Sequence, residues 1–137
     1  MAQLFWDDIE VGMEIPPYKK AVTLMELNRY AGANDEFVLI HMDREYSQKV
    51  ARLPDVIVMG NLKYAYLANM MTSWIGEDGT LRRLSAQYRG MDIPGPALST
   101  EPTMICKGKS RLVHWVCKAS CFSPDEYGAC SASTSDK

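Results

Sequence analysis

The stretch YAGANDEFVLIHMD, residues 30–43, sets Asp35, Glu36 and Asp43 around His41, one of two histidines in the chain. Four apolar residues, Phe37, Val38, Leu39 and Ile40, separate the first two acids from the imidazole. An imidazole and a carboxylate about one water molecule apart can take a proton from that water and deliver one to a nearby carbon. The task is easier in a dry pocket, and the apolar run supplies a wall for one. A solvated charge cluster has no use for such a spacer, and a plain core would not hold the charges. The expected chemistry is general acid–base catalysis by His41 with Glu36 or Asp35. The same residues make a poor metal site: one imidazole is thin for zinc, and a hard cation needs several converging carboxylates. No metal and no cofactor are expected. Asp43 reads as a helix cap rather than a catalyst.

The elements around this stretch follow from local signals. Thr23-Leu24-Met25-Glu26 has the form of a capping box, so a helix should begin there. Leu24, Leu27, Tyr30 and Ala31 continue at helical spacing, and Gly32 with Asn34 supplies a stop. The two acids then lie just past the end of that helix. After His41, DREYSQKVA reads as a short helix capped by Asp43, and LPDVIVMG as a connector. Asn61 to Ile75 is apolar on most sides and should form a largely buried helix that Gly76 ends. Before all of these, Pro16-Pro17 closes an irregular lead-in and YKKAVT has room for a short strand.

Beyond Gly79 the texture changes to β-branched and alternating runs broken by Gly, Pro, Asp and Ser. TLRRLSAQYRG, ALSTEPTMICKG, RLVHWVCKASCF and YGACSAST are expected to form a meander of about four long strands. The simplest arrangement is α+β, an antiparallel sheet wrapped around the central buried helix.

The 137 residues suit a single domain, 1–137, with a core that needs no staples. A net charge of −2 with scattered Lys and Arg argues against nucleic acid. The acidic start MAQLFWDDIEVG does not resemble a secretory signal, and no run approaches the ~20 apolar residues of a membrane span. Cys106, Cys117, Cys121 and Cys130 include no CxxC pair and read as buried reduced thiols, consistent with a cytoplasmic protein. On a strand, Cys117 and Cys121 share a face while His114 points the other way, which disfavours zinc there.

The order of elements and the residues of 30–43 together resemble the hot-dog fold and, within it, the MaoC-like dehydratases and (R)-specific enoyl-CoA hydratases. The signature of that family runs Tyr-Ala, three variable residues, then Gly-Asp-x-Asn-Pro-Ile/Leu-His-x-Asp. Without a gap, Tyr30-Ala31, Ile40, His41 and Asp43 match it. Asp35 stands at the Gly, Glu36 at the catalytic Asp, and Val38-Leu39 at the Asn-Pro. Glu36 keeps the five-residue spacing to His41; a local slip would bring Asp35 to the same place. Gly60, in VMGNL, matches the Gly that opens the central helix, and YRGMDIPG resembles a strand end and turn. The likeness covers about Val22 to Gly108, while the last strands agree only in pattern.

The resemblance implies hydration or dehydration at the Cα=Cβ bond of an enoyl thioester carried by CoA or a carrier protein. His41 with Glu36 or Asp35 would handle the protons. The backbone at Gly60 and Asn61 would bind the thioester oxygen, as a helix N-terminus offers free N–H groups to developing negative charge. The family also implies a homodimer or higher oligomer, or a heteromer with a homologous hot-dog subunit. The rival readings are a non-catalytic subunit that cradles the acyl chain and an acyl-CoA thioesterase. The latter usually carries its acid on the central helix, and residues 61–75 contain no carboxylate.

Overall fold

The computed structural model describes residues 4–16, 18–88, 90–101, 105–107, 113–121 and 130–133, with side chains described as far as residue 95. Helix α1, Leu24–Asn34, begins where the capping box places it. The Glu26 N–H donates to Thr23 Oγ1 at 3.2 Å, and the Thr23 N–H donates to Glu26 Oε2 at 3.0 Å. Two orphan donors of the first turn are thereby satisfied. The helix ends at Asn34, one of the two residues expected to stop it. Gly32 lies inside it, and Asp35, at φ 52°, is the left-handed residue that ends it. A short polar side chain tolerates that conformation better than most. Leu27 and Ala31 are fully buried and set the face by which α1 docks.

The chain then makes a four-residue turn of helix, α2 (Leu39–Met42), which carries His41. Asp43 ends α2 and opens the next helical turn, its Oδ1 accepting from the Tyr46 N–H at 2.9 Å. The cap inferred from sequence is in place. That turn widens into a π-helical stretch, Tyr46–Val50.

Helix α3, Gly60–Ile75, is the structural axis, and Gly76 at φ 83° closes it. Its faces feed two apolar clusters. Leu62 meets Val22, Leu27, Ala31, Val56, Val58 and Met59. Leu67, Met70, Met71 and Trp74 meet Ile9 and Ile15 from the N-terminal segment. That segment, read from sequence as irregular lead-in, thus forms part of the core, with a 3-10 turn at Trp6–Asp8. Asn61, Tyr64, Asn69, Thr72 and Ser73 stay exposed, so α3 keeps one solvent-facing side in the single chain.

The sheet has the strand order β1-β3-β5-β6-β2, and β4 also pairs with β5. The strands are β1 (Lys19–Val22), β2 (Ser85–Gln87), β3 (Gly95–Glu101), β4 (Ile105–Lys107), β5 (Val113–Cys121) and β6 (Cys130–Ser133). All pairs are antiparallel. The meander differs from the expected four long strands. ALSTEPTMICKG is divided into β3 and β4, both on β5, with the register moving from Glu101↔Lys118 to Ile105↔Trp115. β2 keeps only three residues; the Leu84 carbonyl just before it accepts from the Tyr64 hydroxyl of α3 at 2.7 Å. Cys106, Cys117, Cys121, Cys130 and His114 all fall on strands, but their side chains lie outside the described ones. Among the described residues, no helix is long and apolar enough to cross a membrane.

Candidate active site

The sequence crowds acids around a histidine; the fold ties both to one connector. His41 is 9% exposed, and its Nδ1 lies 2.7 Å from the Ile57 carbonyl oxygen. A carbonyl can only accept, so Nδ1 carries the proton of this bond. In the neutral ring Nε2 is then the lone pair able to take a proton. The geometry around the ring is pinned twice more. The Ile57 N–H and the Ser47 hydroxyl both donate to the Ile40 carbonyl, at 3.0 and 3.1 Å. Farther out, Arg44 Nε donates to Asp55 Oδ1 at 2.7 Å, joining the turn after His41 to the start of the connector. Burial pushes the Asp55 carboxyl up, but hydrogen bonds from Arg44 and the Val56 N–H, with the Arg44 charge, outweigh it. The net result is a carboxyl held below its usual range.

The acids separate in role. Glu36 is half-buried, and its Oε2 accepts from Asn61 Nδ2 at 3.3 Å and from Asn34 Nδ2 at 3.1 Å. Asn61 is the second residue of α3, so the Glu36 carboxylate is tethered to the start of that helix. Asp35 is exposed and serves as the C-cap of α1, its N–H donating to the Ala31 carbonyl. His41 and Glu36 therefore reach the same five-residue segment, Ile57 to Asn61, from opposite ends. Asp35 has no such tether among the described contacts.

Gly60 opens α3, and the Lys63 N–H closes the first helical bond onto the Met59 carbonyl at 3.1 Å. Helix geometry leaves the N–H groups of Gly60, Asn61 and Leu62 without an intrahelical acceptor. They form a cluster of donors at the positive end of the helix dipole, on the segment that His41 and Glu36 both reach. Gly60 leaves little room for a side chain: a Cβ there would lie 3.2 Å from the Tyr88 ring, which would have to shift by a few tenths of an ångström.

Two features depart from the sequence reading. The run expected to wall a dry pocket is largely at the surface of the single chain, with Phe37 60%, Val38 46% and Leu39 48% exposed. Second, a buried polar group escaped notice. Lys63 Nζ pairs with Asp92 Oδ2 at 2.6 Å, both side chains 8% exposed, and lies 4.3 Å from the centre of the Tyr88 ring. The signal was present: Lys63 is the one charged residue of 60–75. A lone charge on an apolar helix asks for a buried partner.

Comparison with known proteins agrees with the architecture. No protein-family model and no curated protein matches the chain. Among solved structures, a MaoC-like dehydratase is similar at TM-score 0.79 and 26% identity, over 93% of this chain and 41% of that one. The chain thus spans about two-fifths of that protein's length. R-hydratase PhaJ1 from Pseudomonas aeruginosa is similar at TM-score 0.78 and 14% identity, covering 93% of this chain and 81% of that one. One chain of the ChsH1–ChsH2 complex from Mycobacterium tuberculosis is similar at TM-score 0.72 and 15% identity, covering 90% and 94%. With an antiparallel sheet and a largely buried central helix, the chain has the α+β hot-dog fold of the MaoC-like family.

Proposed function

We propose that this chain is a hydratase or dehydratase acting at the Cα=Cβ bond of an enoyl thioester borne by CoA or a carrier protein. The single observation that carries the reading is the double tether. His41 Nδ1 bonds to the Ile57 carbonyl, Glu36 Oε2 accepts from Asn61 Nδ2, and the N–H groups of Gly60 and Asn61 open α3 on the same segment. The proposed catalytic residues are His41 and Glu36, with Asp35 as a cap. The thioester oxygen is held by N–H groups at Gly60 and Asn61.

In hydration, one water sits between Nε2 of His41 and the Glu36 carboxylate. As its oxygen bonds to Cβ, one of the pair takes its proton. The π electrons move through Cα onto the thioester oxygen, where the α3 donors stabilise the charge. The oxygen's charge then collapses back as the conjugate acid delivers a proton to Cα, and the site returns to its starting state. Dehydration is the reverse.

The test is to incubate the purified chain with trans-2-enoyl-CoA esters of graded length and follow loss of the conjugated absorbance. His41→Ala and Glu36→Gln should each lower turnover by about 100-fold or more. Turnover unchanged in both variants removes the site assignment.

A second reading is favoured by the exposed Phe37, Val38 and Leu39. Here a second hot-dog subunit, identical or homologous, closes the pocket over that run. A similar structure is one chain of a ChsH1–ChsH2 complex. No activity alone, with activity restored by a co-expressed homologue, would favour a partner subunit over a self-sufficient enzyme. A thioesterase is disfavoured by the lack of any carboxylate in 60–75.

A further inference from the structure

The start of α3 is gripped from a segment that lies nearly thirty residues downstream. The Tyr88 hydroxyl donates to the Gly60 carbonyl at 2.7 Å. Two residues before the helix, the Val58 N–H donates to the Asp92 carbonyl at 2.6 Å. One turn into the helix, Lys63 Nζ meets Asp92 Oδ2 at 2.6 Å and stands over the Tyr88 ring, 4.3 Å from its centre. Residues 88 and 92 therefore hold the Val58 N–H ahead of α3, the Gly60 carbonyl that opens it and the Lys63 side chain one turn in. The Tyr88 ring is itself fixed by the cation on its face.

A buried ion pair is a costly way to hold a fold. Apolar residues of similar volume often do as well or better, so stability alone does not explain Lys63 and Asp92. The placement does have a local consequence. The Gly60 carbonyl and the Asn61 N–H belong to one peptide unit. A hydroxyl donating to that carbonyl polarises the unit and strengthens its N–H as a donor. The same bond fixes the direction in which the N–H points.

We infer that Tyr88, held by the Lys63–Asp92 pair, is a positioning residue that aims and strengthens the N–H donors at the start of α3. Tyr88 acts through the Gly60–Asn61 peptide and does not touch the substrate. The inference rests on the proposed use of those donors for the thioester oxygen. A donor that is already aligned stabilises a transition-state charge without reorganising, so the effect falls on kcat rather than on KM.

The test uses the full chain and Tyr88→Phe, which deletes the hydroxyl and keeps the ring under Lys63. On an enoyl-CoA substrate, kcat should fall about tenfold with KM held, since loss of a whole oxyanion donor costs about 100-fold or more. Independently of turnover, the amide order parameters of Gly60 and Asn61, measured by nitrogen-15 relaxation, should drop below the rigid value of about 0.85. The double variant Lys63→Met with Asp92→Leu removes the anchor without leaving a buried lone charge, and should reproduce both effects. Unchanged order parameters in Tyr88→Phe overturn the inference, as does unchanged kcat in an active protein. Should the unaltered chain turn over no enoyl thioester, the hydratase reading fails while the order parameters still decide whether Tyr88 sets the donors.

Discussion

At the scale of single residues, two neighbouring carboxylates are told apart by what each one holds. Glu36 reaches Asn61 at 3.3 Å, while Asp35 spends its backbone on the left-handed end of α1 at φ 52°. Asp35→Asn should therefore leave turnover within about threefold of the unaltered chain, in contrast to the ~100-fold loss set for Glu36→Gln. Steady-state rates on one enoyl-CoA ester compare them directly, and a large loss in Asp35→Asn reverses the assignment. The sequence kept both acids open because Asp35 and Glu36 are adjacent, and spacing alone does not say which one turns inward. What favours Glu36 is its bond to Asn61, a residue twenty-five positions away. Asp55 gives a second residue-scale test. Its folded carboxyl is held below the usual value of about 3.9, mainly by Arg44, so its ionised form favours the fold. That contribution is complete above the unfolded pKa and is lost as pH falls through the lower, folded one. Urea denaturation from neutral pH to pH ~3 should show Asp55→Asn less stable than the unaltered chain near neutrality, with the gap closing below about pH 4.

At the scale of elements, the site depends on how α1 and α3 start. Thr23 closes a reciprocal cap with Glu26, so Thr23→Ala should cost about 1 kcal/mol in urea denaturation, with Thr23→Ser nearly neutral. The Lys63–Asp92 pair sits 8% exposed on both sides, which sets up a sharper contrast. Lys63→Met alone leaves a buried carboxylate without its partner and should cost about 3–5 kcal/mol. The double variant with Asp92→Leu should recover most of that loss, as apolar residues of like volume commonly replace a buried pair. Equal losses in single and double variants would show that the pair acts through packing rather than charge. Helices were legible because their signals are local: a cap at Thr23 for α1, and a mostly apolar stretch ended by Gly76 for α3. Strand lengths were not, because pairing is settled across the sheet. β2 shrinks to three residues, and a one-residue register change separates β3 from β4, for reasons no window of sequence contains. The Tyr88–Gly60 contact was hidden in the same way, since it joins elements twenty-eight residues apart.

At the scale of the whole molecule, the apolar run between the acids and His41 has too little cover. Phe37, Val38 and Leu39 are 60%, 46% and 48% exposed while the imidazole behind them is buried. Three consecutive large apolar side chains in water carry a free-energy penalty that burial against a second surface would relieve, and a contiguous exposed patch of this kind marks an interface. The proposed acid–base chemistry makes the same demand, because a water shared by His41 and Glu36 would have to be kept apart from bulk water. Both demands would be met by the proposed docking of a second hot-dog subunit over residues 37–39. Light scattering should then give a mass near twice 15.4 kDa at working concentration. Leu39→Glu places a charge in the proposed contact, away from the tethers of His41 and Glu36. It should shift the mass towards a single chain, lower turnover by about tenfold or more as the pocket opens to solvent, and leave circular dichroism unchanged. A stable single chain with full turnover before any substitution would break the link, because the site would then work with its apolar wall in water.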